Sequence, residues 1–170
     1  YISKVVKNLL SNIVRVDGET ATTSRNVAAS NGTITSTLKQ DWGLTDVWNE
    51  IISPRFERLN QLTNSNQFGE WINRDGKHFF QTRMPLELQK GFNKKRIDHR
   101  HHAMDALVIA CATRNHINYL NNEYAKSEKR FDLRNTLCYK NRSDGNGNYK
   151  WTFIKPWESF TIDAKEKLLS

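Results

Sequence analysis

Apolar residues recur at helical spacing from the start of the chain. Ile2, Val5, Val6, Leu9, Leu10 and Ile13 fall on one side and Lys4 and Lys7 on the other, which predicts an amphipathic helix over residues 1 to 14. Asp17-Gly18 marks a turn, and the Thr/Ser-rich stretch 20–24 reads as an exposed loop. Val27 to Gly32 has the pattern of a short strand closing at an Asn-Gly turn. Thr33 or Thr35 can cap a brief helix over residues 34–42, stopped by Gly43. Asp46 can cap the next helix, whose buried stripe is Val47, Trp48, Ile51 and Ile52 and which Pro54 should end.

From residue 55 to 76 the pattern is mixed. Arg55 to Leu59 can extend a helix, whereas the Asn-rich stretch 60–67 and Asp75-Gly76 are loop chemistry. His78 to Arg83 reads as a strand. The segment 96–113 changes character abruptly. Residues 96–105 carry three histidines, two arginines and two aspartates, and the chain is then almost wholly apolar from Ala106 to Ala112. Such a pattern predicts a helix, 97–121, whose polar mouth runs into a core that surrounds it on every side. Farther on, 126–130 is a charged continuation or a second helix. Leu137 to Tyr139 and Tyr149 to Ile154 flank Asp144-Gly-Asn-Gly147, a hairpin signal whose aromatics fit the packing of a two-stranded sheet. Pro156-Trp157-Glu158 opens a last short helix.

Composition narrows the function classes. Of 170 residues, 26 are Lys or Arg against 18 Asp or Glu, a formal charge of +8 that favours a polyanionic partner. A mean hydropathy of -0.74 is low for a self-sufficient globule, while five Trp, five Tyr and eight Phe argue that a core exists. Cys111 and Cys138 alone make no disulfide framework, so a reducing, cytoplasmic compartment is expected. There is no signal peptide and no apolar run of ~18 residues, so no membrane partner is expected. A helical pattern already under way at Tyr1, with no Met before it, suggests a fragment of something longer.

Candidate chemistry concentrates at the mouth of the central helix. At 100° per residue His102 and Asp105 lie about 60° apart, and His101 and Asp105 about 40° apart, so an imidazole and a carboxylate share one face. That is a metal-and-base arrangement. The plainer alternative makes Asp98 a cap, sets Asp105 near the positive end of the helix dipole and leaves the histidines solvated. Lys94, Lys95, Arg96 and Arg100, with Lys90, are either a solvated charged loop or a lip that contacts phosphates beside the carboxylate. A zinc or iron site built from His99, His101, His102 and Asp105 is a further alternative. It is disfavoured because residues 99 and 101 point about 200° apart on a helix.

Asn31-Gly-Thr-Ile-Thr35, Trp42-Gly-Leu44, Arg100-His-His-Ala-Met-Asp-Ala106 followed by Val-Ile-Ala-Cys-Ala-Thr113, and Lys155-Pro-Trp-Glu158 occur in this order. The series resembles the third split segment of the RuvC-like nuclease domain in type II CRISPR RNA-guided DNA endonucleases (Cas nine), particularly the compact type II-C-like branch. The first helix resembles the linker by which the chain re-enters that domain after an HNH nuclease insert. The resemblance implies an α/β, RNase-H-like fold, predominantly helical in this segment with a few short strands and one hairpin. It implies a nuclease segment over 1–120, with 1–14 as re-entry linker, closed by a charged segment, hairpin and Pro-Trp-Glu helix over 121–170.

In that family the segment gives a histidine and an aspartate to a site completed by acids from two earlier segments. The histidine falls on His102, as general base, and the metal-binding aspartate on Asp105; His101 is left a supporting role. The implied cofactor is Mg²⁺ or Mn²⁺, two ions shared with acids outside this chain. The implied partners are a guide RNA, target DNA and the other segments of the same nuclease, in a prokaryotic cytoplasm. His99 and Asp98 depart from the family's pattern. The stretch 47–95 is longer than in compact members, and no function is carried over to it. A rival of another class is a basic nucleic-acid-binding module whose His/Asp cluster is structural only.

Overall fold

The computed structural model describes every residue except 1, 75, 93, 95, 96, 122–126 and 143–148. Contacts divide the chain into two compact units that interleave in sequence: Tyr1–Leu38 with Cys111–Ile154, and Lys39–Ala110 with Lys155–Ser170. Helices predominate, as the pattern predicts, and two small antiparallel hairpins are formed among the described residues where one was expected.

In the first unit, α1 (Ile2–Ile13) is the expected amphipathic helix, yet its apolar face is open: Ile2 is 79%, Leu9 60% and Ile13 78% exposed. Residues 27–31 form no strand. Asn31, read as the corner of a turn, is instead the cap of α2 (Gly32–Asp41), its Oδ1 accepting the Ile34 N–H at 3.0 Å. Thr33 and Thr35, the expected caps, lie within the first helical turn. After α5 (Arg114–Asn121) and α6 (Ser127–Leu137), β3 (Cys138–Arg142) pairs with β4 (Tyr149–Phe153) in the expected hairpin, from Cys138 opposite Phe153 to Arg142 opposite Tyr149. The Asp144-Gly145 corner lies outside the described residues. His116 and Tyr119 set their rings against Phe153, at centroid distances of 5.4 and 5.7 Å.

The second unit is built on α3 (Leu44–Thr63), which begins after Gly43 at φ 76° and runs 20 residues straight through Pro54. Proline was expected to stop it. Pro54 has no N–H for the Glu50 carbonyl, but the Ser53 hydroxyl donates to that oxygen at 3.0 Å, so the gap in the ladder is filled from within. Asn60, at the end of this helix, accepts the Phe68 N–H at 2.9 Å and donates to the Gly69 carbonyl at 2.8 Å. These bonds fix the entry to β1 (Gly69–Arg74), which pairs with β2 (Lys77–Thr82). β2 matches the strand read at 78–83; β1 was not foreseen. Gly69 has φ 136°, and a Cβ there would stand 2.4 Å from the Gln81 carbonyl oxygen, so only glycine fits.

α7 (Phe160–Leu169) closes this unit, starting later than the Pro156 opening that was expected. Phe160 meets Trp42 edge-on at 5.4 Å, both rings fully buried, and Thr161 donates to the Trp42 carbonyl at 2.7 Å. Trp157 and Ser159 both donate to Asp163, at 2.6 and 2.8 Å, and this ties the Pro-Trp-Glu turn to the first turn of α7.

The central helix differs most from expectation. It ends at Cys111, giving α4 (Arg100–Cys111), and α5 starts at Arg114. Thr113 causes the break. Its Oγ1 takes the His116 N–H at 3.4 Å while His116 Nδ1 takes the Thr113 N–H at 3.1 Å, a reciprocal cap with histidine in the usual Glu/Gln place. Nor is α4 buried all round. His101, Met104 and Val108 are its buried positions, one stripe at helical spacing, while Ala106, Ala110 and Ile109 (52%) are exposed. The apolar run is rich in alanine, and this chain covers only one side of it.

Candidate active site

Asp98 prepares the mouth of α4. Its carboxylate, 7% exposed, accepts the Arg100 N–H at 2.9 Å and the Arg100 guanidinium at 3.0 and 2.7 Å, and it pairs with Arg55 at 2.8 Å. The Arg100 hydrogen bonds hold its pKa far below the ordinary carboxylate value against the opposing effect of burial. The Asp98 carbonyl takes a bond of 2.6 Å from His101 Nδ1, and Arg55 also donates to the Ile97 carbonyl at 2.5 Å. Four groups thus fix where the helix begins. Asp98 is therefore the cap that the plainer alternative foresaw, although it stands one residue farther out than a standard cap position.

The two histidines separate on this frame. His101 turns inward: it is buried, with its ring edge-on to Trp48 at 6.1 Å. A carbonyl can only accept, so the bond to Asp98 places a proton on His101 Nδ1. His102 turns outward and is exposed, its ring 3.8 Å from that of His101 and 6.5 Å from that of His99. Asp105, one turn along α4, has a side chain 22% exposed. Lys39 of α2 places its ammonium 2.5 Å from Asp105 Oδ1, an ion pair that bridges 66 residues of sequence. No local signal in the sequence identifies Lys39; only the packing brings it to Asp105.

The expected basic lip is less free than its composition suggests. Lys94 is half-buried and donates to Asn49 at 2.8 Å, and burial lowers its pKa from the ordinary lysine value. Arg100 is committed to Asp98 and donates to the Leu168 carbonyl at 3.2 Å. Lys95 and Arg96 lie outside the described residues.

Among the described residues no three His, Cys, Asp or Glu side chains converge on a common point. The zinc or iron arrangement is thus not formed there. What the site offers a divalent cation is the Asp105 carboxylate, with an oxygen already occupied by a positive group. That fits one ligand of a hard cation, which takes oxygen donors and keeps its waters.

Among the described residues no helix is long and apolar enough to cross a membrane. No curated protein matches the chain. Residues 1–170, all of it, match the family described as RuvC endonuclease subdomain 3. The predominantly helical fold is consistent with that full-length match, and the chain belongs to the RuvC endonuclease subdomain 3 family.

Proposed function

We propose that this chain is the third RuvC segment of an RNA-guided DNA endonuclease of the type II CRISPR class. In this reading it supplies His102 as general base and Asp105 as metal ligand to a split two-Mg²⁺ site that hydrolyses the non-target DNA strand. The observation that carries it is the division of labour on α4: His101 is pinned inward on the Asp98 carbonyl, while His102 and Asp105 stand one turn apart, outward and partly open to solvent. Divalent cations in such a site clamp the attacking and leaving oxygens of an in-line displacement. His102 is exposed, so it can take a proton from water and return it to solvent. Asp105 contributes one carboxylate, and one carboxylate cannot hold two ions. This chain alone should therefore be inactive.

Two open apolar surfaces support a segment completed by others, the α1 face and the Ala106, Ile109, Ala110 side of α4. Among the described members of the basic lip Lys90 is exposed, whereas Lys94 and Arg100 have partners inside the fold, so phosphate contact by those two requires the partners to be exchanged.

The test is Asp105→Ala in the intact nuclease, with the two DNA strands labelled separately. The reading expects loss of cleavage of one strand by about a thousandfold, the several kcal/mol a metal clamp supplies at 1.36 kcal/mol per decade. Guide-dependent binding should survive. A basic binding module with a structural His/Asp cluster predicts instead that both strands are cut as before.

A further inference from the structure

We infer that Lys39 is a positioning residue for the nuclease chemistry: its ammonium aims the Asp105 carboxylate, and it is the group that an incoming divalent cation must displace from Oδ1. The inference rests on the reading of Asp105 as a metal ligand and adds to it a residue from a different helix.

Burial distinguishes this pair from surface pairs. The side chains of Lys39 and Asp105 are 16% and 22% exposed, against 75% and 68% for Lys77 and Asp46, and 59% and 54% for Arg83 and Glu70. Those exposed pairs are screened and contribute little. A mostly covered pair at 2.5 Å has a stronger Coulomb interaction, and its ammonium fixes one rotamer of the carboxylate. Lys39 itself is well anchored, because Leu38 beside it on α2 is fully buried and Thr35, one turn earlier, is buried too.

The residue type matters as well. Lysine presents a compact charge on a flexible stem, so it can leave an oxygen and settle elsewhere, where an arginine fork would grip both oxygens. A carboxylate held this way is oriented yet exchangeable. Both partners lie in the second unit, Lys39 in the last turn of α2 and Asp105 on α4.

The experiment uses the intact, guide-loaded nuclease and Mn²⁺ as the probe. Asp105→Asn first defines which bound Mn²⁺ depends on this carboxylate. Lys39→Met, which keeps the stem and removes the charge, should then bind that Mn²⁺ about tenfold more tightly, since a unit charge a few ångströms away is worth at least a decade. The same variant should melt lower in chelator and cut the non-target strand more slowly at saturating Mn²⁺, because the carboxylate has lost its aim. Lys39→Arg should restore the melting temperature in chelator but not the cutting rate. Unchanged Mn²⁺ affinity and unchanged melting in Lys39→Met would overturn the inference, as would weaker Mn²⁺ binding, which would make Lys39 a support for the ion rather than its competitor. If instead Asp105→Asn changes neither Mn²⁺ binding nor cleavage, it is the reading of Asp105 that fails.

Discussion

Asp98 and Asp105 are seven residues apart, one just outside α4 and the other in its second turn, and their surroundings differ in kind. Asp98 is nearly closed to solvent and filled with the chain's own donors: a backbone N–H and two guanidinium groups, with His101 on its carbonyl. Asp105 is more open, keeps company with an exposed imidazole three residues before it, and has an oxygen held by a lysine that can let go. A carboxylate saturated by fixed donors builds structure. One held by an exchangeable cation, beside an exposed imidazole, is what the proposed function needs for chemistry. Segment 96–105 is dense in charge, and only the fold sorts its members into these two roles.

The sharpest way to break the comparison is through the histidines. His102→Ala in the intact nuclease should slow non-target-strand cleavage by about 10²–10⁴-fold, the range of a positioned general base, with binding intact. His101→Ala should leave the base in place and lower the melting temperature instead, since it removes a buried bond to the capping residue. Equal effects of the two on single-turnover cleavage would erase the distinction drawn between them.

Next in size is stability. Asp98→Asn should cost about 2–3 kcal/mol in denaturant unfolding, less than a fully buried pair because Arg55 and Arg100 are 47% and 37% exposed. Asp105→Asn should cost less, about 1–2 kcal/mol, since its side chain is 22% exposed against 7% for Asp98. A reversed ranking would contradict the assignment of Asp98 to structure.

The pH dependence follows from the same contrast. Asp98 has a folded-state pKa held below its ordinary 3.8, so the unfolded chain binds the proton more readily. Its contribution is complete above that ordinary value and is lost as the pH falls below it toward the folded-state value. Unfolding free energies taken from pH 6 downward should fall more steeply for the native sequence than for Asp98→Asn. Parallel curves would show that the cap carries no linkage.

The smallest expected difference separates the two arginines. Arg100 donates several bonds to Asp98 and one to the Leu168 carbonyl, whereas Arg55 is the more exposed partner. Arg55→Ala should cost about 0.5–1 kcal/mol and Arg100→Ala about twice that. A larger loss at Arg55 would place the weight of the cap on α3.

How much of this the sequence could disclose depended on the range of the interactions. α1 and α2 were legible because their stripes are local, and the β3–β4 hairpin because strand, turn and strand lie within twenty residues. The sequence pattern alone ends α3 at Pro54, a breaker by itself, and its neighbour's hydroxyl rescues the helix only in three dimensions. β1 hid in Asn-rich surroundings because Asn60, a helix residue, is what anchors it. The burial of α4 was overestimated, since apolar composition announces a wish for cover and not which chain provides it. At the site, spacing puts His102 and Asp105 one turn apart on α4. That Asp98 is saturated, and that Lys39 reaches Asp105 across 66 residues, are facts of packing.

The most direct measurement is single-turnover cleavage of a duplex labelled on each strand, comparing Asp98→Asn with Asp105→Asn in the intact nuclease at a temperature where both are folded. The account predicts that Asp105→Asn stops one strand while Asp98→Asn cuts both near the native rate. Cleavage of both strands at the native rate by Asp105→Asn would contradict it.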